Sequence, residues 1–139
     1  MLRGCFDLAV DVAVKTSFPT ARPDEDLSEA ACRLDDDGII VVVDDGMRFK
    51  GVVTAEGIAR NAVCKGGESL KVKDVMNPDY ITIKPGANLD RTLVLMMIYN
   101  VKAVPVVDDE GVVVGVLTLP RIAKALHEEV DVEEIPSAG

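Results

Sequence analysis

The chain has no tryptophan, one histidine and three cysteines in 139 residues. Cys5, Cys32 and Cys64 are widely spaced with no CxxC pair, and His127 stands alone, so a zinc ribbon or finger is excluded by inventory. Free thiols of this kind fit a reducing compartment, and Cys32, in an apolar helical stretch, is expected to be buried and inert. No apolar run approaches the roughly 18 residues of a membrane span. Arg3, Asp7 and Asp11 interrupt the apolar N-terminal segment before it resembles a signal peptide. A cytoplasmic protein without a membrane partner is expected. Basic clusters are also missing. The net charge is −9, with 8 basic and 13 acidic side chains over residues 1–69 and 7 and 11 over 70–139, so nothing favours counterion-releasing contact with nucleic acid.

Catalytic signals are equally sparse. No serine sits in a nucleophile elbow, and no carboxylate pair has a reason to converge, so no enzyme is expected. Asp35-Asp36-Asp37 and Asp44-Asp45 lack the alternating ligands and distal Glu of a calcium loop. Both precede glycine, which makes them turn residues and leaves no metal site.

What the chain does contain is an internal repeat. Thr20, Pro23 and Leu27 recur 62 residues later as Thr82, Pro85 and Leu89. Val42, Val43, Asp44, Asp45, Gly51, Val52, Thr54, Ile58 and Ala59 recur 64 residues later. The two-residue difference in length falls between Leu27 and Gly38, in or just after the first helix of each copy. A unit of about 55 to 60 residues buries only about 60% of its unfolded surface, so two copies are expected to share one core. Such a pair has a pseudo-twofold axis, and a cleft near that axis is lined by equivalent residues of both copies.

Each copy reads β-α-β-β-α. In the second, Ser69 is placed to cap a short helix through Val72, Val75 and Met76, and Tyr80–Ile83 is extended. Asn88 caps a helix with Leu89, Thr92, Leu93, Met96 and Met97 facing inward and Asn100 at its end. Ala103–Val107 and Val112–Leu117 form a hairpin around Asp108-Asp109-Glu110-Gly111, and Thr118 caps the last helix. In the first copy, Asp26 caps a helix to about Leu34, Ile39–Val43 and Phe49–Val53 form the hairpin, and Thr54 opens the last helix. The boundaries are 10–63 for the first repeat, 64–70 for a linker, 71–127 for the second repeat and 128–139 for an acidic tail, frayed from His127 onward.

The strings VKDVMNP, ITIKPGANL and VKAVPVVDDEGVVVGVLT in the second copy, with TARPDEDL, GIIVVVDDG and GVVT in the first, resemble a tandem pair of CBS domains over residues 10–127. The resemblance implies an α+β fold, two β-α-β-β-α repeats packed through their sheets around a pseudo-twofold axis. It also implies inter-repeat clefts that hold AMP, ADP, ATP or S-adenosylmethionine, a regulatory rather than catalytic role, a homodimer and a regulated partner protein.

The family's ligand motif is Gly, two apolar residues, Ser or Thr, two variable residues and Asp. Here it reads Gly51-Val52-Val53-Thr54-Ala55-Glu56-Gly57 and Gly115-Val116-Leu117-Thr118-Leu119-Pro120-Arg121. Gly57 and Arg121 stand where the ribose-binding Asp belongs. The resemblance makes Thr54 and Thr118 phosphate-facing caps, with Val116 beside the second, and Glu56 a substitute ribose acceptor one residue early. Arg121, with Lys84, offers an anion pocket in the second cleft. Tyr80, Ile81, Ala103, Val104 and Pro105 supply a purine slot, Phe18 and Ile40 are first-copy counterparts, and Thr20 and Thr82 are candidate polar contacts. A ligand-free scaffold acting only through association is the alternative, favoured by the loss of both Asp residues.

Overall fold

The computed structural model describes residues 8–65 and 69–134. A 3-10 turn, Val10–Ala13, leads into β1 (Val14–Lys15), followed by β2 (Thr20–Ala21), α1 (Leu27–Ala31), β3 (Ile39–Val43), β4 (Phe49–Thr54) and α2 (Ala55–Lys65). Then come α3 (Val72–Val75), α4 (Leu89–Tyr99), β5 (Ala103–Val107), β6 (Val113–Thr118) and α5 (Leu119–Glu134). The strands form two three-stranded sheets, ordered β2-β3-β4 and β1-β6-β5.

The apolar runs of β3 and β5 are buried along their whole length, and the two-residue period of a strand divides their side chains between two cores. Ile39, Val41 and Val43 face Ala103, Val107, Val113 and Val116 of the other sheet. Ile40 and Val42 point the other way, onto Leu27, Ala30 and Val72. Val104 and Val106 likewise pack on Leu89, Met96 and Ile122. The repeats therefore meet sheet to sheet, as expected, with helices on the outer faces.

The segment leading into each repeat crosses to the other one. Val14 and Lys15 pair antiparallel with Leu117 and Val116 of β6, and Val10 and Ala13 lie in the core of the second repeat. At the equivalent place, Asn77 exchanges two backbone hydrogen bonds with Val52 of β4, at 2.8 and 3.1 Å, and Val72 lies in the core of the first repeat. This reciprocal exchange holds the two repeats in one body.

Local chemistry accounts for most element ends. The Arg91 N–H donates to Asn88 Oδ1 at 2.9 Å, capping α4, and Asn100 ends it in the left-handed region at φ 54°. Asp44 Oδ1 accepts from the Gly46 and Arg48 amides, and Asp108 Oδ1 from those of Glu110 and Val112, each at 2.9 Å. Those acids are turn residues, as the sequence indicates.

Several expectations are corrected. Helix α1 stops at Ala31 rather than Leu34, because the Cys32, Arg33 and Leu34 amides turn to carbonyls three residues back and Gly38 then adopts φ 75°. Asp26 holds the N-cap position without capping, since its carboxylate meets Lys71 Nζ at 2.7 Å. Lys71, not Ser69, precedes α3, and its N–H donates to Asp74 Oδ2 at 2.9 Å. Of Tyr80–Ile83, only Ile83 bridges β5. Met97 is 76% exposed, because it follows the inward-facing Met96 by one residue, about 100° around the helix. Cys32 is exposed rather than buried, and Cys5 lies outside the described residues. The tail is helical through Glu134 as part of α5; residues 135–139, with linker residues 66–68, lie outside the described residues.

Candidate functional site

A cleft of about 510 Å³ opens between the repeats, within the size range of small-molecule sites. Its walls repeat each other. Asp36, Asp37, Gly38 and Ile39 lead into β3, and their equivalents 64 residues on, Asn100, Val101, Lys102 and Ala103, lead into β5. Thr54, Ala55 and Glu56 at the start of α2 close one side, and Tyr80 closes the other.

Tyr80 is fixed by its hydroxyl, which donates to the Ala103 carbonyl at 2.8 Å. Burial, with the Glu56 carboxylate adding to it, pushes the phenol up to about 12, so Tyr80 remains a protonated donor at neutral pH. The ring adds an aromatic wall to a cleft that Ile39, Val101 and Ala103 also line.

Two amides in the first turn of α2 are already engaged. The Ala55 N–H donates to the Gly38 carbonyl and the Gly57 N–H to Thr54 Oγ1, both at 2.9 Å. The second repeat copies this arrangement: the Leu119 N–H donates to the Lys102 carbonyl at 3.0 Å and the Arg121 N–H to Thr118 Oγ1 at 3.4 Å. Each threonine caps its helix, as expected. At the rim, Lys15 Nζ meets Asp37 Oδ2 at 2.6 Å and Asp35 Oδ2 at 3.2 Å. The Asp37 hydrogen bond, with Asp35 adding to it, holds the ammonium above its ordinary range.

Of the residues singled out from sequence, the cleft gathers Thr54, Glu56, Tyr80 and Ala103. Others are placed elsewhere. Ile40 is fully buried in the outer core of the first repeat, and Val104, with the half-buried Ile81, in that of the second. Val116 and Phe18 belong to the layer between the sheets. Pro105 is buried in β5 and its carbonyl accepts from Ile83 at 3.0 Å. Thr20 lies in β2 opposite Val41, Thr82 is exposed, and Thr118 is buried.

Arg121 and Lys84 do not meet in one pocket. Arg121 Nε donates to the Ala13 carbonyl at 3.2 Å and lines a small recess with Val12, Ala13, Lys124 and Ala125. Lys84 pairs with Asp109 at 3.2 Å. Arg121 thus ties the crossing N-terminal segment to α5. The residues missed in sequence, Asp36, Asp37, Asn100 and Lys102, carry one available signal: they immediately precede the two equivalent strands.

Two tandem matches to the CBS domain family model, over residues 9–63 and 72–128, cover most of the chain. The chain belongs to the CBS domain family. An inosine-5′-monophosphate dehydrogenase from Methanocaldococcus jannaschii is 32% identical to this CBS pair over 118 residues, 84% of this chain and 23% of that protein. A dehydrogenase of the same name from Nitrosopumilus maritimus is 30% identical over 79 residues, 57% of this chain and 16% of that protein. The CBS pair spans less than a quarter of the length of either relative.

Among solved structures, the CBS domain pair of protein MJ0100, in complex with 5′-methylthioadenosine and S-adenosyl-L-methionine, superposes with a TM-score of 0.75 at 26% identity. That match covers 84% of this chain and 98% of that one. The fold is also shared with CBSX2 in complex with AMP, with a TM-score of 0.75 at 19% identity, covering 88% and 97% of the two chains. No helix among the described residues is long and apolar enough to cross a membrane.

Proposed function

We propose that this CBS pair is a non-catalytic regulatory module that binds an adenosyl compound in the cleft between its repeats and passes the occupancy on to a partner protein. One observation carries the reading. The cleft is built from equivalent residues of both repeats, 36–39 and 100–103, so a ligand filling it touches both and its affinity depends on their relative orientation. Such a ligand shifts the population of orientations by its differential affinity for them.

The lining suits a nucleoside. Tyr80 offers a ring for a purine to pack on, and Glu56, beside the position where Gly57 replaces the family's Asp, offers a carboxylate for ribose hydroxyls. The likeness to a CBS pair solved with two adenosyl compounds supports the same class.

Thermal unfolding in the presence of AMP, ADP, ATP and S-adenosylmethionine tests this. Ligand at one hundred times its dissociation constant is expected to add about 2.7 kcal/mol and raise the midpoint by several degrees. Tyr80→Ala is expected to weaken binding by roughly tenfold or more, since packing on an aromatic ring contributes about 1 to 3 kcal/mol per base. Absence of any shift at millimolar concentrations of all four compounds refutes the reading.

A second reading, association through copies of this chain, is favoured by the exposed apolar face of α4: Val94, Leu95, Met97, Ile98 and Tyr99. It predicts a homodimer by sedimentation whether or not ligand is present, and Met97→Asp or Ile98→Asp is expected to yield a monomer.

A further inference from the structure

The cleft carries more acid than base. Asp36, Asp37 and Glu56 line it against one cation, Lys102, and Lys15 at the rim is held by Asp37 and Asp35 together. With Lys15 offsetting Asp37, the remaining Asp36 and Glu56 still outnumber Lys102. A helix N-terminus ordinarily attracts phosphate through its free amides. In α2, however, the Ala55 amide is bonded to the Gly38 carbonyl and the Gly57 amide to Thr54 Oγ1. Two of the three first-turn amides of α2 thus already have partners, and the Glu56 carboxylate projects from the same turn. Arg121, the other candidate for phosphate, is engaged with the Ala13 carbonyl.

From these facts we infer that the cleft selects adenosyl compounds whose 5′ substituent carries no phosphate, a cationic sulfonium above a neutral thioether and both above a phosphate ester. The inference rests on the regulatory reading above and fixes the ligand class within it. A phosphomonoester brings roughly 1.5 to 2 negative charges at neutral pH. Placed against a wall with surplus carboxylate in a partly desolvated cleft, each such charge is disfavoured by about tenfold or more in affinity. The adenine and ribose are common to all the candidates, so the 5′ charge decides among them. The two acids that set the preference are Asp36 and Glu56.

Calorimetry on the full chain at low salt, with S-adenosylmethionine, 5′-methylthioadenosine, AMP and magnesium-free ATP, tests the order. Affinity is expected to fall in that sequence, with S-adenosylmethionine at least about tenfold tighter than AMP, and the gap to narrow as salt rises. In the Asp36→Asn, Glu56→Gln double variant the ratio of S-adenosylmethionine to AMP affinity is expected to fall by about tenfold, with the loss of the Glu56 carboxylate from the ribose common to both ligands and cancelling in that ratio. Glu56→Gln alone, at an exposed position, separates the charge effect from any loss of folding. AMP or ATP binding as tightly as S-adenosylmethionine overturns the inference and leaves the regulatory reading standing. An order indifferent to both substitutions overturns it as well, and failure of all four compounds to bind overturns both.

Discussion

Ile40→Ala is expected to lower the unfolding free energy by about 3 kcal/mol and to leave affinity for the proposed adenosyl ligand unchanged. The magnitude lies within the range of about 2 to 5 kcal/mol for truncating a buried aliphatic side chain, where lost transfer energy and a residual cavity add. Ile40 is fully buried among Leu27, Ala30, Val42 and Val72. Its neighbours Ile39 and Val41 face the inter-sheet layer, and Ile39 reaches the cleft. Strand alternation therefore separates a structural residue from a lining residue one position away. Urea unfolding and calorimetry on the same variant measure both halves of the prediction. Lost ligand affinity with stability intact would place Ile40 in the site instead.

Gly51→Val is the second large effect, expected to cost about 3 kcal/mol, near the top of the range for overpacking. A Cβ at position 51 would lie 2.9 Å from the Asn77 carbonyl oxygen and 3.2 Å from its carbon. These are backbone atoms, held by the paired hydrogen bonds between Asn77 and Val52, so neither can swing away as a side-chain tip would. The clash falls on the strand crossing that joins the repeats. Gly46→Ala is the control: its Cβ meets the flexible Arg48 guanidinium at 3.4 Å, and a change within about 0.5 kcal/mol is expected, as for ordinary surface substitutions. Denaturant unfolding of both variants decides the point. A Gly51→Val protein as stable as Gly46→Ala would show that the crossing relaxes freely.

Gly51 also shows how far the sequence was legible. Gly51 and its repeat Gly115 open the two copies of the family's ligand motif, and the resemblance implies that a glycine there lets the strand end approach a ligand. In the structure both glycines instead admit a crossing segment: a Cβ at 115 would collide with Val14 Cγ1 and lie 3.0 Å from the Lys15 carbonyl. Each sits where the leader of the opposite repeat passes over the strand. Offset matching identifies equivalent positions, but it is silent on which copy packs on which, and the exchange follows from long-range pairing that no local pattern encodes.

The repeat, the hairpins and the helix-opening threonines were readable because each rests on local chemistry: buried β-branched runs, aspartate turns and side-chain caps. Of the site, Thr54, Glu56, Tyr80 and Ala103 were legible through the motif and its surroundings. Asp36, Asp37 and Lys102 were not, because a charged residue before a strand reads as solvated turn until the opposite repeat places a wall across from it. Arg121, read in sequence as sharing a pocket with Lys84, misled in that pairing for the same kind of reason. Its partner is a backbone carbonyl 108 residues away, which carries no signature of its own.

The central claim is that ligand sits between the repeats and touches both. An amide NMR titration of the full chain with S-adenosylmethionine tests it most directly. The account predicts the largest shifts at Gly38–Ile39 and Val101–Ala103 together, with Thr54–Gly57 and Tyr80. Saturable shifts confined to one repeat, or centred on Ala13 and Arg121 with the residues of the inter-repeat cleft unmoved, would contradict it.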